Sequence, residues 1–204
     1  MKPTKSTLRW RTATLTLLTL AAFVVSARAE TWKLDPAHSK ASFKVRHLMI
    51  SNVAGRFGKL EGTVQGDPAK PESAVVTATI DAASIDTDDA KRDEHLRSAD
   101  FFEVAKYPTI TFKSKAVRNW KDTSFELVGD LTMKGVTKEV VLAVSDVTPE
   151  IKDPWGHAKR GMTATTTIDR TDFGIVWNKA LEAGGVTVGN EVKVTIDVEL
   201  QKAD

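Results

Sequence analysis

From Val192 to Leu200 every second residue is apolar: Val192, Val194, Ile196, Val198 and Leu200 alternate with Lys193, Thr195, Asp197 and Glu199. A strand turns successive side chains to opposite faces, whereas a helix repeats about every 3.6 residues, so this stretch reads as a strand with one buried and one wet face. The pattern recurs. Ala41, Phe43 and Val45 form one apolar face; Ala74, Val76, Ala78 and Ile80 form another. Ile110 with Phe112, then Phe125, Leu127, Leu131 and Met133, then Val140, Leu142 and Val144, then Met162, Ala164 and Ile168 continue the series. A further strand is expected over Phe57 to Val64, where Gly58 and Gly62 suggest a bulge or sharp bend. About eight short, one-sided strands predict an all-β antiparallel sandwich or barrel.

The breaks between these runs carry turn residues. Lys134-Gly135-Val136-Thr137 reads as a short hairpin turn, Asp67-Pro68-Ala69-Lys70-Pro71 as a longer loop, and Asp153-Pro154-Trp155-Gly156 as another. One segment, Thr87 to Ala99, has no alternation and many helix formers. Thr87 or Asp88 would cap it, and Asp88 and Asp89 suit the positive end of a helix. Arg92, His95, Leu96 and Ala99 fall on one helical face, which suits a helix capping one mouth of a barrel.

Ahead of the strands stands a different kind of segment. Lys2, Lys5, Arg9 and Arg11 precede an apolar run of 11 residues from Leu15 to Val25, interrupted by Thr16 and Thr19, and Ala27-Arg28-Ala29 follows. This order is that of a secretory signal cleaved after Ala29. The run is shorter than the ~20 residues that span a bilayer, so no stable membrane span is expected after its removal. Trp10 separates Arg9 from Arg11, which rules out a twin-arginine signal, and the chain has no cysteine, which rules out a lipoprotein. The expected organisation is a signal at 1–29 and one domain at 30–204, exported to the periplasm. Five of the 29 basic residues (Lys2, Lys5, Arg9, Arg11 and Arg28) and none of the 27 acidic ones lie in that signal. From Glu30 onward 24 basic residues face 27 acidic ones, a net charge of −3. A weakly acidic domain is a poor partner for nucleic acid.

Catalytic motifs are missing. The sequence has no G-x-S-x-G elbow, no H-E-x-x-H pair and no phosphate-binding P-loop, and without cysteine it has neither thiol catalysis nor a thiolate metal site. Asp88/Asp89 and Asp93/Glu94 read as a solvated charged face. The four histidines, His38, His47, His95 and His157, show no ligand spacing. His38, after Asp35-Pro36, suits a turn-locking role, and His47 continues the inward parity of Phe43 and Val45. No catalytic residue, cofactor or metal is expected. An eight-strand barrel is either filled by side chains or holds one ligand. Ala41, Ala78, Gly129 and Ala164 would leave space, and Phe43, Phe112, Met133 and Met162 would line it; composition alone leaves the two readings open.

A series of short motifs begins with Leu34-Asp35-Pro36-Ala37-His38-Ser39, Phe43 to Ile50 and Val53 to Phe57. Ser84 to Thr87, Arg92 to Ser98, Asp100-Phe101-Phe102 and Tyr107 to Phe112 follow. Gly129 to Thr137, Arg170 to Gly174, Trp177-Asn178 and Leu181 to Gly185 complete the series, which spans nearly all of 32–200. Together these motifs resemble the YceI-like polyisoprenoid-binding family. The resemblance implies a lipocalin-like antiparallel barrel with one capping α-helix and a long apolar pocket. It implies a periplasmic, non-enzymatic protein that holds a polyisoprenoid or similar long-chain amphiphile, of the isoprenoid quinone or prenyl phosphate class, for transport or storage, with homodimers common.

On parity or motif position, the expected wall comprises Phe43, Val45, Ile80, Ile85, Leu96, Phe101, Phe102, Ile110, Phe112, Leu131, Met133, Ile168, Phe173 and Ile175. His47, Arg92 and His95 are candidates for the head group. Arg92 could instead pin the helix by pairing with Asp86 or Asp88. Trp155 and Trp177 suit loops or barrel ends. Two other functions remain open at this level: an enzyme acting on a bound lipid or quinone, and a stress-related module with a filled core.

Overall fold

The computed structural model of the chain describes residues 29–67, 70–182 and 184–203; the expected signal lies outside them apart from Ala29. The alternating segments are strands that pair edge to edge until the sheet meets itself. In chain order they are β1 (Glu30–Leu34), β2 (Lys40–His47), β3 (Ser51–Phe57), β4 (Leu60–Asp67), β5 (Lys70–Asp81) and β6 (Ile85–Asp86). The helix α1 (Ala90–Arg97) follows, then β7 (Thr109–Lys121), β8 (Ser124–Met133), β9 (Val136–Ser145), β10 (Ile151–Lys152), β11 (Ala158–Asp169) and β12 (Val188–Lys202). Hydrogen bonding runs β11–β9–β8–β7–β5–β4–β1–β12. β12 then pairs with β11, Glu191–Gln201 against Asp169–Lys159, closing an eight-strand antiparallel barrel. Closure pairs the ring's edges, the hazard of any open sheet. β2 continues along β12 where β1 leaves off, and β3 and β6 extend from it.

Among the described residues the expected barrel with one α-helix is the observed one; the boundaries differ in three places. The Phe57–Val64 strand is two strands. The amides of Gly58 and Lys59 turn aside to the carbonyl (3.1 Å) and hydroxyl (3.2 Å) of Ser84, in a single-turn 3-10 helix at Ala82–Ser84. The loop expected at Asp67–Pro71 is tighter: Asp67 already pairs with Lys70, and Pro71 lies in β5, while Pro68 and Ala69 are outside the described residues. The helix begins later than Thr87. Asp88 has a left-handed φ of 61°, and the cap is Asp89, whose carboxylate accepts from the Lys91 and Arg92 amides.

The Lys134–Gly135 hairpin is as expected, with left-handed φ values of 50° and 75°, the two-residue turn that matches strand twist. Gly135 is required twice, because a Cβ there would also lie 2.7 Å from the Tyr107 ring. Gly135→Val is expected to cost about 1–2 kcal/mol or more, from the left-handed backbone alone; urea unfolding measures it, and an unchanged midpoint would contradict the account.

On the outer surface the Asp35–Ser39 corner, which joins β1 to β2, is tied to β11 and β12. Asp35 accepts from the Ala37 amide (3.0 Å), lies 3.0 Å from His38 Nδ1 and accepts from Lys159 Nζ (2.7 Å), which also donates to Glu199 (3.0 Å). His38 thus has its turn-locking place. Among the described residues Asp35, His38 and Glu199 form a cluster of metal-ligating types, but the Lys159 ammonium already sits between the carboxylates.

Candidate functional site

The inward faces do not meet across the barrel axis. They enclose a cavity of about 460 Å³, inside the range of small-molecule sites. Strand parity builds its wall: Trp32 and Leu34 from β1, Ala41, Phe43 and Val45 from β2, Val76, Ala78 and Ile80 from β5, and Leu142 and Val144 from β9. From the closing strands come Met162, Ala164 and Ile168, paired with Val198, Ile196 and Val192. Backbone polar groups are bonded strand to strand, so an apolar wall leaves no backbone group seeking a partner. Gly129, expected to leave space, instead receives a ring: a Cβ there would lie 2.4 Å from Phe112 Cζ.

The two ends differ. At the helix end, Phe101, Ile110, Met133 and Ile175 are buried liners, joined by Leu96 and Phe102. Arg170, 4% exposed, stitches that end shut by donating to the carbonyls of Gly189 (3.0 Å), Ile175 (2.6 Å) and Val188 (3.3 Å); burial pushes its pKa below the usual guanidinium value. The opposite end is ringed by the β4–β5 and β7–β8 hairpins and the segment before β11. Its liners include Glu30, Asp67, Trp120 and Arg160, and Trp120 is 43% exposed. The cavity therefore opens away from the helix.

Of the expected wall, Phe43, Val45, Ile80, Leu96, Phe101, Phe102, Ile110, Phe112, Leu131, Met133, Ile168 and Ile175 line the cavity. Ile85 and Phe173 do not; they are almost wholly buried in the core beside it, because β6 and the 3-10 turn at Arg170–Phe173 stand outside the ring. None of His47, Arg92 and His95 lines it. Arg92 Nε donates to Thr87 Oγ1 and Nη2 to the Thr87 carbonyl, both at 2.7 Å, and Thr87 Oγ1 donates in turn to the buried Asp93 (2.6 Å). The helix is pinned through Thr87 rather than Asp86 or Asp88, which pair with Arg56. Arg97 adds bonds to the carbonyls of Ala83 (2.8 Å) and Ile85 (2.7 Å). His95 Nε2 lies 2.9 Å from Asp100 Oδ2, and its ring meets Phe101 and Trp177 edge-on. Half-buried His47 pairs with Ser51 in the β2–β3 ladder. Trp155 is 81% exposed in its turn.

A model of the YceI-like domain matches residues 32–200. The chain belongs to the YceI-like family. A UPF0312 protein of Ectopseudomonas mendocina is 43% identical over 138 residues, 68% of this chain and 72% of that one. Among solved structures, Burkholderia cenocepacia BcnA shares 25% identity with a TM-score of 0.71, covering 81% of this chain and 98% of its own. A polyisoprenoid binding domain from Saccharophagus degradans shares the fold at 16% identity and a TM-score of 0.62, covering 84% and 98%.

In this YceI-like chain, sequence reasoning passed over several liners. Trp32, Leu60 and Val64 lie in β1 and β4, whose alternation is short or broken by glycine. Arg160 and Arg170 extend the inward parity of Met162, Ala164 and Ile168 by one step at each end of β11 and its following turn. Parity could have found both arginines; their charge argued the other way.

Proposed function

We propose that this protein binds a long-chain amphiphile of the polyisoprenoid class, an isoprenoid quinone or a prenyl phosphate, carries or stores it in the periplasm after removal of residues 1–29, and does no chemistry on it. The carrying observation is a blind apolar tunnel, sealed at the helix end and open at the other. Each CH₂ moved from water into such a wall gains about 0.8 kcal/mol, so a tail is held without specific contacts. Among the described lining residues there is no histidine, lysine or tyrosine, and the two carboxylates, Glu30 and Asp67, stand at the mouth rather than along the tail's path. The open cavity also tells against a filled-core module. The Saccharophagus degradans domain that shares this fold is a polyisoprenoid binding domain, which agrees with this reading.

The test is organic extraction of protein purified from the periplasm of an expressing bacterium, followed by mass spectrometry. The expected result is an isoprenoid lipid near one per protein. Full-length protein retained in the cytoplasm, or an extract with no long-chain lipid from protein that also fails to take up added prenyl lipid, would refute the export or the binding part respectively.

A further inference from the structure

We propose that Arg160 is the head-group subsite of this tunnel, taking the phosphoryl oxygens of a prenyl phosphate at the open mouth, opposite the helix; this rests on the lipid-binding reading above. Arg160 continues the inward face of β11 one step beyond Met162 and lines the cavity where it meets solvent. Its guanidinium lies over the buried Trp32 ring, Cζ 5.3 Å from the centroid, which holds its plane at the rim. Its Nε is buried with no hydrogen-bond partner among the described residues. A buried N–H without an acceptor is costly, and an acceptor arriving with a ligand would remove that cost. Glu150 is 3.9 Å from Nη2, at the limit of an ion pair, and Glu30 at the same rim feels the Arg160 charge without a hydrogen bond to it.

The second cation at this rim contrasts with it. Lys202 Nζ, 5.7 Å from the same Trp32 ring, is hydrogen-bonded to Glu30, so its charge is answered. Arg160 keeps its Nε–Nη2 edge, which Glu150 approaches only to 3.9 Å, and that fork matches two oxygens of a phosphate. A tail running down the tunnel from this point meets Met162, Ala164 and Ile168 in succession. The head would thus stay at the wet rim, where an anion is cheapest to keep, with no charge entering the apolar section.

The test compares geranylgeranyl monophosphate with geranylgeraniol, the same tail with a neutral head, on the wild type, Arg160→Gln and Arg160→Lys. The wild type is expected to prefer the phosphate by about tenfold or more, with the preference shrinking as salt rises. Arg160→Gln should erase the preference while binding the alcohol as before, and Arg160→Lys should restore only part of it. Inorganic phosphate alone should bind too weakly to saturate. Equal wild-type affinity for the two lipids, a parallel loss of both in Arg160→Gln, or tight binding of inorganic phosphate would each overturn the proposal. The wild-type preference is read without any variant, so a misfolded Arg160→Gln does not shield it. Failure of the wild type to bind either lipid would sink the lipid-binding reading itself, a distinguishable result.

Discussion

Ala78→Trp is expected to abolish retention of a long-chain lipid while leaving the barrel folded. Ala78 points inward from β5, opposite Gly62 on β4 and Phe112 on β7. It is half-buried, packing against the core on one side and lining the cavity on the other. An indole there would project across the middle of the tunnel and cut the tail's path from the open mouth to the sealed end. Each methylene kept out forfeits about 0.8 kcal/mol. Excluding even five removes ~4 kcal/mol, close to a thousandfold in affinity. Overpacking usually costs about 1–3 kcal/mol, and filling an existing void should fall at the low end. The measurement is lipid content after purification together with titration of a fluorescent prenyl analogue, near-UV circular dichroism reporting the fold. A folded variant that retains lipid at wild-type levels would show that the tail does not use this cavity.

The wall that this variant blocks was legible in the sequence because a strand's period is two. Once Val192–Leu200 is read as one-sided, the inward set of β12 follows without knowledge of its neighbours, and the same holds for Phe43, Ile80 and Phe112. Direction fails where alternation ends. Ile85 and Phe173 sit in a two-residue strand and a single 3-10 turn, where apolar character says buried but not on which side of the wall. Arg160 shows the converse: its parity is inward and its charge suggests outward, and only closure of β11 on β12 places it at a rim where both hold. Arg92 was ambiguous because a guanidinium on a helix suits a ligand as well as a frame. The deciding contact is a hydroxyl five residues earlier, fixed by a bend at Asp88 that no periodicity announces.

Lys159→Met is the substitution expected to destabilise the fold most. Lys159 has outward parity on β11, yet it is 8% exposed, because the Asp35–Ser39 corner folds over it. Its ammonium is held by Asp35 and Glu199, linking β11, β12 and the β1–β2 corner. Glu199 is 35% exposed and Asp35 keeps the Ala37 amide and His38, so losing the ammonium leaves charge only partly uncompensated, at a cost of about 2–3 kcal/mol. For a domain of this size that lowers Tm by roughly 5–10 °C. Acid should erase the difference. The Lys159 ammonium, and after it His38, hold the Asp35 carboxyl well below the usual carboxylate range. A depressed folded pKa means that the unfolded chain takes up the proton first, near pH ~3.9. The stabilisation is therefore fully present above that value and is lost as pH falls toward the folded pKa. Thermal melts of wild type and Lys159→Met should thus be widely separated at pH ~7 and converge below pH ~4. In the alkaline direction the sign reverses, since Asp35 raises the pKa of Lys159 above its ordinary value, and that contribution fades only as pH climbs through the raised value. Methionine largely replaces the packing of the lysine's aliphatic stem, so a Tm gap that stays constant from neutral to acid pH would mean that the stabilisation does not come from the Lys159–Asp35 charge pair.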